Sequence, residues 1–431
     1  MGITPSEPAT VVPLVRRPSF VAFWTGQGVS QLGVQLGQLA LPVLAVNLLG
    51  AREGDLGVLN AASMAAFLVV GLPAGAWVDR WLKRRTMIRA NLVRMAAMLA
   101  VPLLAWAGAL QMWHLFAIAA VVGVATVFFD VAYQSYIPLL VDREHVADAN
   151  GKLEATAQVS RLGGPALGGF LLTLVSAPVL FAAEAGGYLA SALCLTRVHD
   201  SELTPERPDD SSLVREIREG AAFVVGHPLI RRIVASTAIG NLFSSIVYVL
   251  MPLVVLRDLG LGPAGFGAVL SIGSVGGVIG AMAAPWLAAR VGEGPLLPLG
   301  LMAGGAAVVL FPLSLLAGSA PAAFAMLATG EFFMSLGVVV YNVMQVSMRQ
   351  RVCPPRLLGR MNASIRCVVW GVMPIGSLLG GWIGGAFGIG PTLWVGIGGM
   401  LCACVPVAIG PFFRLRRLPD AEADLSARQS G

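Results

Sequence analysis

Long apolar segments recur along the whole chain, and they constrain its fold more than any other feature of the sequence. A helix needs about 20 mainly apolar residues to cross a bilayer. Hydrophobic residues make up 56% of the 431 residues and charged residues only 12%, about half the charged share of a soluble domain. The sequence therefore predicts an all-α integral membrane protein. We place twelve transmembrane helices at 19–48, 54–78, 86–109, 113–138, 153–176, 178–198, 229–256, 264–288, 295–318, 321–348, 360–387 and 391–412.

A charged stretch at residues 198–220 divides these segments into two sets of six. We therefore predict a cytoplasmic N-terminal tail at 1–18, a six-helix bundle at 19–198, a cytoplasmic linker at 199–228, a second six-helix bundle at 229–412 and a cytoplasmic C-terminal tail at 413–431. Similar residues recur at an offset of 210, which pairs Pro42 with Pro252, Gly57 with Gly267, Pro102 with Pro312 and Arg80 with Arg290. This duplication predicts two pseudo-symmetric bundles with a binding site between them.

Basic residues are concentrated in alternate breaks between the apolar segments. If the N-terminus is cytoplasmic, the outer breaks contain only Arg52 and Arg257. The inner breaks then contain Arg16, Arg17, Arg143, Lys152, Arg290, the linker and the clusters at 80–89 and 349–360. Because basic loops remain in the cytoplasm, we predict a multi-pass protein of the cell membrane with both termini cytoplasmic. The net charge of +6 is then a topology signal and an attraction to the anionic lipid bilayer, and we predict no nucleic-acid partner.

The densest charge of the chain lies in "GLPAGAWVDRWLKRRTMIR", residues 71–89. Here the sequence resembles the major facilitator superfamily, whose signature in this loop is Gly-x-x-x-Asp-Arg-x-Gly-Arg-Arg. Leu82 replaces the second glycine, as in the drug-efflux branch with macrolide-efflux and enterobactin-exporter-like proteins. The resemblance implies that Asp79 faces the N-terminus of the eleventh helix and, with Gly75, Arg80 and Arg84, latches the two halves on the inner side. A simple cluster of inner basic charges would explain the arginines but not Asp79.

The segment "RLGGPALGG" at 161–169 resembles the helix 5 motif of exporters in this superfamily. The matching residues are Gly164, Pro165, Gly168 and Gly169. Small residues also allow close helix packing without any link to export, and both interpretations remain open. Segments 128–151 and 350–381 resemble the same branch, so the resemblance covers both halves.

Charged residues within the apolar segments are few, and each is expensive at the bilayer centre. They are Arg94, Asp130, Arg161, Glu184, Glu331 and Arg366. The candidates for ion pairs are Arg94, Arg161 and Arg366, which lie at the depth of Asp130. Asp130 could pair with Arg94 or Arg161, and it forms either a structural ion pair or a titrating site linked to substrate. Glu184 and Glu331 have no obvious partner. With Asp130 they are the candidates for proton coupling, although either could bind a cationic substrate or simply donate a hydrogen bond to a backbone carbonyl.

A polar stripe runs along the first helix, where Gln27, Gln31, Gln35 and Gln38 recur at helical spacing. The resemblance implies that this helix lines a substrate cavity, although the stripe could instead bond to neighbouring helices. Our candidates for the cavity wall are Gln31, Gln35, Asn241, Tyr341, Asn342, Phe128 and Phe332. The aromatic residues among them could also face lipid.

The sequence contains no phosphate-binding loop, no set of metal ligands within the helices and no pair of nucleophile and base. We therefore predict that the chain is not an enzyme, needs no cofactor and binds no metal. The resemblance implies a monomeric secondary transporter that exports small, largely apolar compounds in exchange for protons by alternating access. The alternatives are a dedicated exporter of an endogenous metabolite or siderophore, and a membrane scaffold or sensor without transport.

Overall fold

The computed structural model describes residues 13–199, residue 202 and residues 213–416, and all regular secondary structure in this part of the chain is helical. Residues 1–12 and 417–431 of the predicted tails, and residues 200–201 and 203–212 of the predicted linker, lie outside the described residues. The first half contains α1 (Pro18–Asn47), α2 (Glu53–Val69), α3 (Gly71–Asp79), α4 (Lys83–Trp106), α5 (Met112–Leu140), α6 (Val146–Leu174) and α7 (Ala177–Thr196).

The second half begins with α8, which falls within the predicted linker. Its helices are α8 (Leu213–Gly226), α9 (Pro228–Tyr248), α10 (Gly262–Val291), α11 (Leu296–Ala307), α12 (Leu310–Ser314), α13 (Ala320–Val352), α14 (Pro355–Phe387), α15 (Ile389–Cys402) and α16 (Val405–Ala408). A π-helical turn at Leu253–Asp258 follows α9.

Ten helical segments of the described chain are long and apolar enough to cross a membrane. The other two predicted spans are also helical, but each departs from a simple apolar helix. The second span is divided into α2 and α3 near Val70, because Pro73 has no N–H group to bond the carbonyl of Val69. The fifth span, α6, carries four charged residues. With these two spans the described residues contain the predicted twelve passes.

The buried apolar residues form different cores on the two sides of the membrane. We use "outer" for the side that carries the connection from α1 to α2, following the prediction from charge. On that side a single core contains residues of both halves, from Leu39 to Met400. On the inner side the first half has its own core around Tyr136 and Met87, and the second half has a separate core around Tyr341. The two halves are therefore joined at the outer side.

Two glycine contacts close this outer junction. On α2, a Cβ atom built on Gly57 would lie 2.8 Å from the backbone oxygen of Ser377 and 3.2 Å from the Cα of Gly381 on α14. On α10, a Cβ atom built on Gly267 would lie 3.1 Å from the Cα of Gly169 on α6. Gly57 and Gly267 are one of the pairs at the offset of 210, so the duplicated segments make equivalent contacts.

Candidate functional site

A cavity of ≈ 320 Å³ lies among α1, α2, α4, α5 and α7 of the first half. Its walls are mainly apolar and include Phe67, Met98, Val101, Leu115, Ile118, Phe129 and Phe181. Its charged residues are Arg94, Asp130 and Glu184. Mainly apolar walls with a few convergent polar groups are typical of sites for small ligands.

The polar stripe of α1 contributes to this cavity with three of its four glutamines, Gln27, Gln31 and Gln38. Gln35 faces a different neighbour, because its side chain packs against Gly164 of α6. A side chain at position 164 would occupy the space of Gln35. The stripe therefore serves two surfaces, the cavity and the contact between α1 and α6.

Arg94 is buried between two aromatic rings at the back of the cavity. Its guanidinium carbon lies 4.1 Å from the ring centre of Phe129 and 4.5 Å from that of Tyr188. Its Nη2 group donates a hydrogen bond to the side-chain oxygen of Asn91, one turn away on α4. Cation–π contacts of this kind stabilise a cation that has left water. Arg94 therefore holds a positive charge at a fixed position, and no carboxylate of the described residues pairs with it directly.

A chain of hydrogen bonds fixes Asn91 in turn. The Nδ2 group of Asn91 donates to Ser191 Oγ over 3.0 Å, and Ser191 Oγ donates to Gln27 Oε1 over 3.4 Å. The three residues are buried and belong to α4, α7 and α1. Because unpaired polar groups are costly away from water, this network restrains the orientation of Arg94.

Asp130 is half-buried in the cavity wall on α5. The predicted ion pairs with Arg94 and Arg161 do not form in the described part of the chain, and Arg161 instead lies 3.8 Å from Glu154 of its own helix. Arg94 lines the same cavity as Asp130, whereas the third ion-pair candidate, Arg366, does not. Arg366 is exposed on α14. Asp130 thus faces the cavity, and no cation among the described residues is in direct contact with it.

Glu184 is buried in the same cavity, with 3% of its surface exposed. Its Oε1 atom accepts a hydrogen bond of 2.9 Å from the Tyr188 hydroxyl, whereas Oε2 has no hydrogen-bond partner in the described structure. The carboxyl group lies against Gly37 of α1, where a built Cβ atom would be 2.6 Å from Glu184 Cδ. Glu184 therefore has one oxygen free for a proton or a ligand.

Glu331 occupies a separate, closed position in the second half. Both of its carboxyl oxygens accept from the Tyr248 hydroxyl, at 2.8 and 2.9 Å. A Cβ atom built on Gly273 of α10 would lie 2.5 Å from Glu331 Cγ. Glu331 forms no ion pair with any described residue, so it is a buried carboxyl group without a cation nearby.

The other cavity candidates lie elsewhere. Asn241 donates a 2.9 Å hydrogen bond to the backbone of Val369, between α9 and α14. The Tyr341 hydroxyl lies 2.6 Å from Thr237 Oγ1 in the inner core of the second half. Asn342 is exposed and accepts from the side chain of Gln345, its neighbour on α13. These three residues connect helices or face outward in this state.

The aromatic candidates Phe128 and Phe332 do not line the cavity either. Phe128 stacks against Trp77 and Trp81 on the outside of the first half, at ring-centre distances of 6.0 and 5.7 Å. Phe332 meets Phe333 edge to face at 5.1 Å. The cavity phenylalanine is the next residue, Phe129, because it faces the interior side of α5.

The helix 5 motif lies at the junction of the halves. Gly169 approaches α10 so closely that a built Cβ atom would be 2.7 Å from the backbone oxygen of Pro263, and the Pro165 carbonyl contacts Gly267. Gly168 and Gly164 face α1 instead, where they contact Leu39 and Gln35. Each matched residue thus serves a close helix contact, which fits the packing interpretation and leaves a role in export open.

The predicted inner latch is described only in part, because the side chain of Asp79 lies outside the described structure. Gly75 has open space where a side chain would stand. Arg80 is exposed at the end of α3. Arg84 donates to the backbone oxygen of Val198, two residues after the end of α7 and within its own half. Among the described side chains of the motif, Arg84 therefore makes a contact within the first half.

Sequence reasoning missed the groups that position the two buried carboxyls. Tyr188 follows Glu184 by four residues, and this spacing on one helix face could have indicated the contact. Tyr248 and Gly273 reach Glu331 from other helices, so no local pattern marks them. In the sequence, nothing distinguishes Gly37 from a glycine that only allows close helix packing. Its contact with Glu184 is seen only in the structure.

Twelve passes in two joined halves, with a charged cavity inside the membrane, define a multi-pass membrane transporter. Residues 9–430 match a family model described as transmembrane secretion effector, and the chain belongs to this family of the major facilitator superfamily. Transport rather than enzymatic catalysis is the activity of the family.

Known relatives agree with this assignment. Macrolide efflux protein A of Streptococcus pyogenes is 24% identical over 408 residues, which cover 93% of this chain and 97% of the relative. The multidrug efflux pump Tap of Mycobacterium bovis is 27% identical over 220 residues, covering 48% of this chain and 51% of the relative. A bacterial homologue of the iron transporter ferroportin, solved in its inward-facing state, has a TM-score of 0.72 at 16% identity, with 92% of this chain and 99% of that chain covered.

Proposed function

We propose that the protein exports small, largely apolar compounds across the cytoplasmic membrane, driven by protons that move inward. The observation that carries this proposal is the cavity of the first half, in which Asp130 and Glu184 stand among mainly apolar walls and neither forms an ion pair with a described residue. Apolar walls suit an apolar compound, and free carboxyl groups suit proton exchange. Relatives named as macrolide and multidrug efflux proteins support the direction and the substrate class.

Alternating access is supported by the distribution of the cores. The single outer core and the two separate inner cores describe halves that are joined outside and divided inside. Packed interfaces of this kind switch between discrete arrangements rather than deform continuously. We therefore propose that the halves rock against each other at their common interface, and that the described state is open to the cytoplasm.

Asp130 is our first candidate for the proton carrier. It is half-buried and faces the cavity, so substrate and proton can compete for it. Glu331 is the second candidate, because its burial beside Tyr248 without a cation makes a charged carboxylate costly there. Glu184 is the third, through its unpartnered Oε2 atom.

The proposal is tested by proton release from the purified protein. A pH-indicator dye in weakly buffered solution should report protons released when a macrolide, or the lipophilic cation ethidium, is added to the protein in nanodiscs. Saturable release that disappears in Asp130→Asn supports proton antiport. Saturable binding without any release contradicts it, and absence of binding by a broad panel of compounds favours the scaffold.

Whether the protein exports many compounds or a single one is tested by a separate measurement. A deletion strain that becomes sensitive to several unrelated apolar compounds supports broad export. A strain that accumulates a single product of its own metabolism, with unchanged drug susceptibility, supports the dedicated exporter instead.

A further inference from the structure

A groove of ≈ 510 Å³ runs along the outside wall of the first half, between α4 and α5. It is separate from the cavity described above and opens toward the bilayer. Val93 and Val121 line it from the two helices, and each is 45% exposed. Alanine side chains at its floor leave room for an extended chain. The groove therefore has the shape and the apolar lining that an acyl chain requires.

One end of the groove has a different chemistry. Trp77 and Trp81 are exposed and stack against Phe128, which lines the groove. Arg89 also lines it, is exposed and forms no ion pair with a described residue, and no acidic residue is in the lining. Tryptophan is enriched at the level of lipid headgroups, and arginine binds phosphate groups through two parallel hydrogen bonds.

We propose that this groove binds one anionic phospholipid, with its phosphate on Arg89 and an acyl chain along Val93 and Val121. The inference goes beyond the proposed export and does not depend on it. Charge complementarity selects the occupant, because an unpaired arginine beside an apolar channel matches a lipid that carries net negative charge. A neutral apolar compound would leave Arg89 without a partner.

The second half provides an internal comparison. At the offset of 210, the positions of Trp81, Arg89 and Phe128 are occupied by Val291, Leu299 and Val338. The second half therefore folds without an arginine or aromatic rings at these positions. The fold alone does not explain why the first half has them, and we relate them to the groove.

Occupancy of the groove would also affect the cavity behind it. Phe128 faces the groove, whereas its neighbours Phe129 and Asp130 face the cavity. Arg94 lies on α4, one turn beyond the groove residue Ala90. A bound lipid would therefore hold α4 against α5 at the level of the charged site.

Native mass spectrometry of the full-length protein tests the proposal. The protein is incubated with an equimolar mixture of phosphatidylglycerol and phosphatidylcholine in detergent, and the retained lipids are counted. We expect the wild type to retain phosphatidylglycerol in preference to phosphatidylcholine. Arg89→Gln should lower the retained phosphatidylglycerol about fivefold, the effect of one basic residue at a membrane surface.

Two further variants separate the groove from general charge effects. Arg85→Gln removes an equally exposed arginine of α4 that does not line the groove, and it should retain the wild-type amount. Val121→Trp fills the groove from its open side and should lose the lipid with Arg89 unchanged. Equal retention of the two lipids by the wild type, or unchanged phosphatidylglycerol in either Arg89→Gln or Val121→Trp, would overturn the proposal.

Discussion

Arg257 and Glu53 form an ion pair between the two halves, with 2.7 Å between Arg257 Nη2 and Glu53 Oε1. Glu53 is the first residue of α2, and its Cβ and Cγ atoms would lie 3.3 Å from a Cβ atom built on Gly384 of α14. Arg257 lies in the π-helical turn after α9 and also contacts Asp258 at 3.1 Å. The outer junction therefore has an electrostatic contact beside its apolar core.

Removing this ion pair should favour the outward-open state. Because the pair is partly exposed, its contribution is about 1 kcal/mol or less, which corresponds to roughly a fivefold change in the ratio of states. Spin labels on Leu48 and Leu316, which are exposed at the outer ends of the two halves, should report longer distances in Glu53→Gln. Asp258→Asn leaves the ion pair of Arg257 and Glu53 intact and is the matched control. An equal increase of the label distance in both variants would mean that loss of a negative charge, and not loss of the ion pair, causes the change.

The glycine contact between α10 and α6 should be more sensitive than the ion pair. In Gly267→Ala the new methyl group meets the Gly169 backbone and the Pro165 carbonyl, so the outer junction cannot close without displacement. Such overpacking costs about 1–3 kcal/mol. The same pair of spin labels should show a larger shift than in Glu53→Gln. Gly385→Ala adds a methyl group on α14 where there is open space, and a similar shift there would contradict the prediction.

Gly37→Ala should displace Glu184 from its position. The added methyl group would lie 2.6 Å from Glu184 Cδ, so the carboxyl group must move away from α1. We expect a loss of about 1–3 kcal/mol in stability, measured as a lower midpoint of thermal unfolding, together with altered substrate affinity. Gly186→Ala, on the same helix as Glu184 but facing open space, should behave as the wild type. Full stability and affinity in Gly37→Ala would mean that Glu184 is not held by this contact.

Asp79→Asn tests the inner latch that the family resemblance implies. If the Asp79 carboxylate faces a helix N-terminus in the inward-closed state, its loss weakens that state by about 0.3–1 kcal/mol, or roughly two- to fivefold. Labels on Leu139 and Val291, exposed near the inner ends of the two halves, should then remain further apart during transport. Arg85→Gln, in the first turn of α4 and within the same charged stretch, is the control. If the distances and transport are unchanged, the charged stretch at residues 71–89 only sets the orientation of the chain in the membrane and does not latch the two halves.

The apolar segments predicted the fold well because a membrane span must satisfy its backbone within one helix. The contacts of individual side chains were harder to predict. The spacing of residues in the sequence shows which of them share one face of a helix, but not which other helix packs against that face. Gln31 and Gln35 belong to the same stripe, yet one lines the cavity and the other packs on Gly164. Phe128 and Phe129 are adjacent and face opposite sides of α5.

Contacts between distant segments could not be predicted at all. Depth in the membrane placed Asp130 beside Arg94 and Arg161, but Arg94 lies between two aromatic rings and Arg161 is exposed, and neither pairs with Asp130 in the described part of the chain. Glu53 and Arg257 are separated by 204 positions, and neither lies in a recognisable motif. Their pairing depends on how the two halves meet.

The most direct test of the account is proton-driven export in inside-out vesicles. Vesicles with an acidic interior should accumulate a compound selected by the susceptibility profile, and Asp130→Asn combined with Glu331→Gln should abolish this accumulation. Exchange of labelled for unlabelled compound at equal pH should persist in the double variant, because binding and rocking remain. Loss of pH-driven accumulation with retained exchange is the predicted result. Undiminished pH-driven accumulation in the double variant would contradict the assignment of these carboxyl groups to proton coupling.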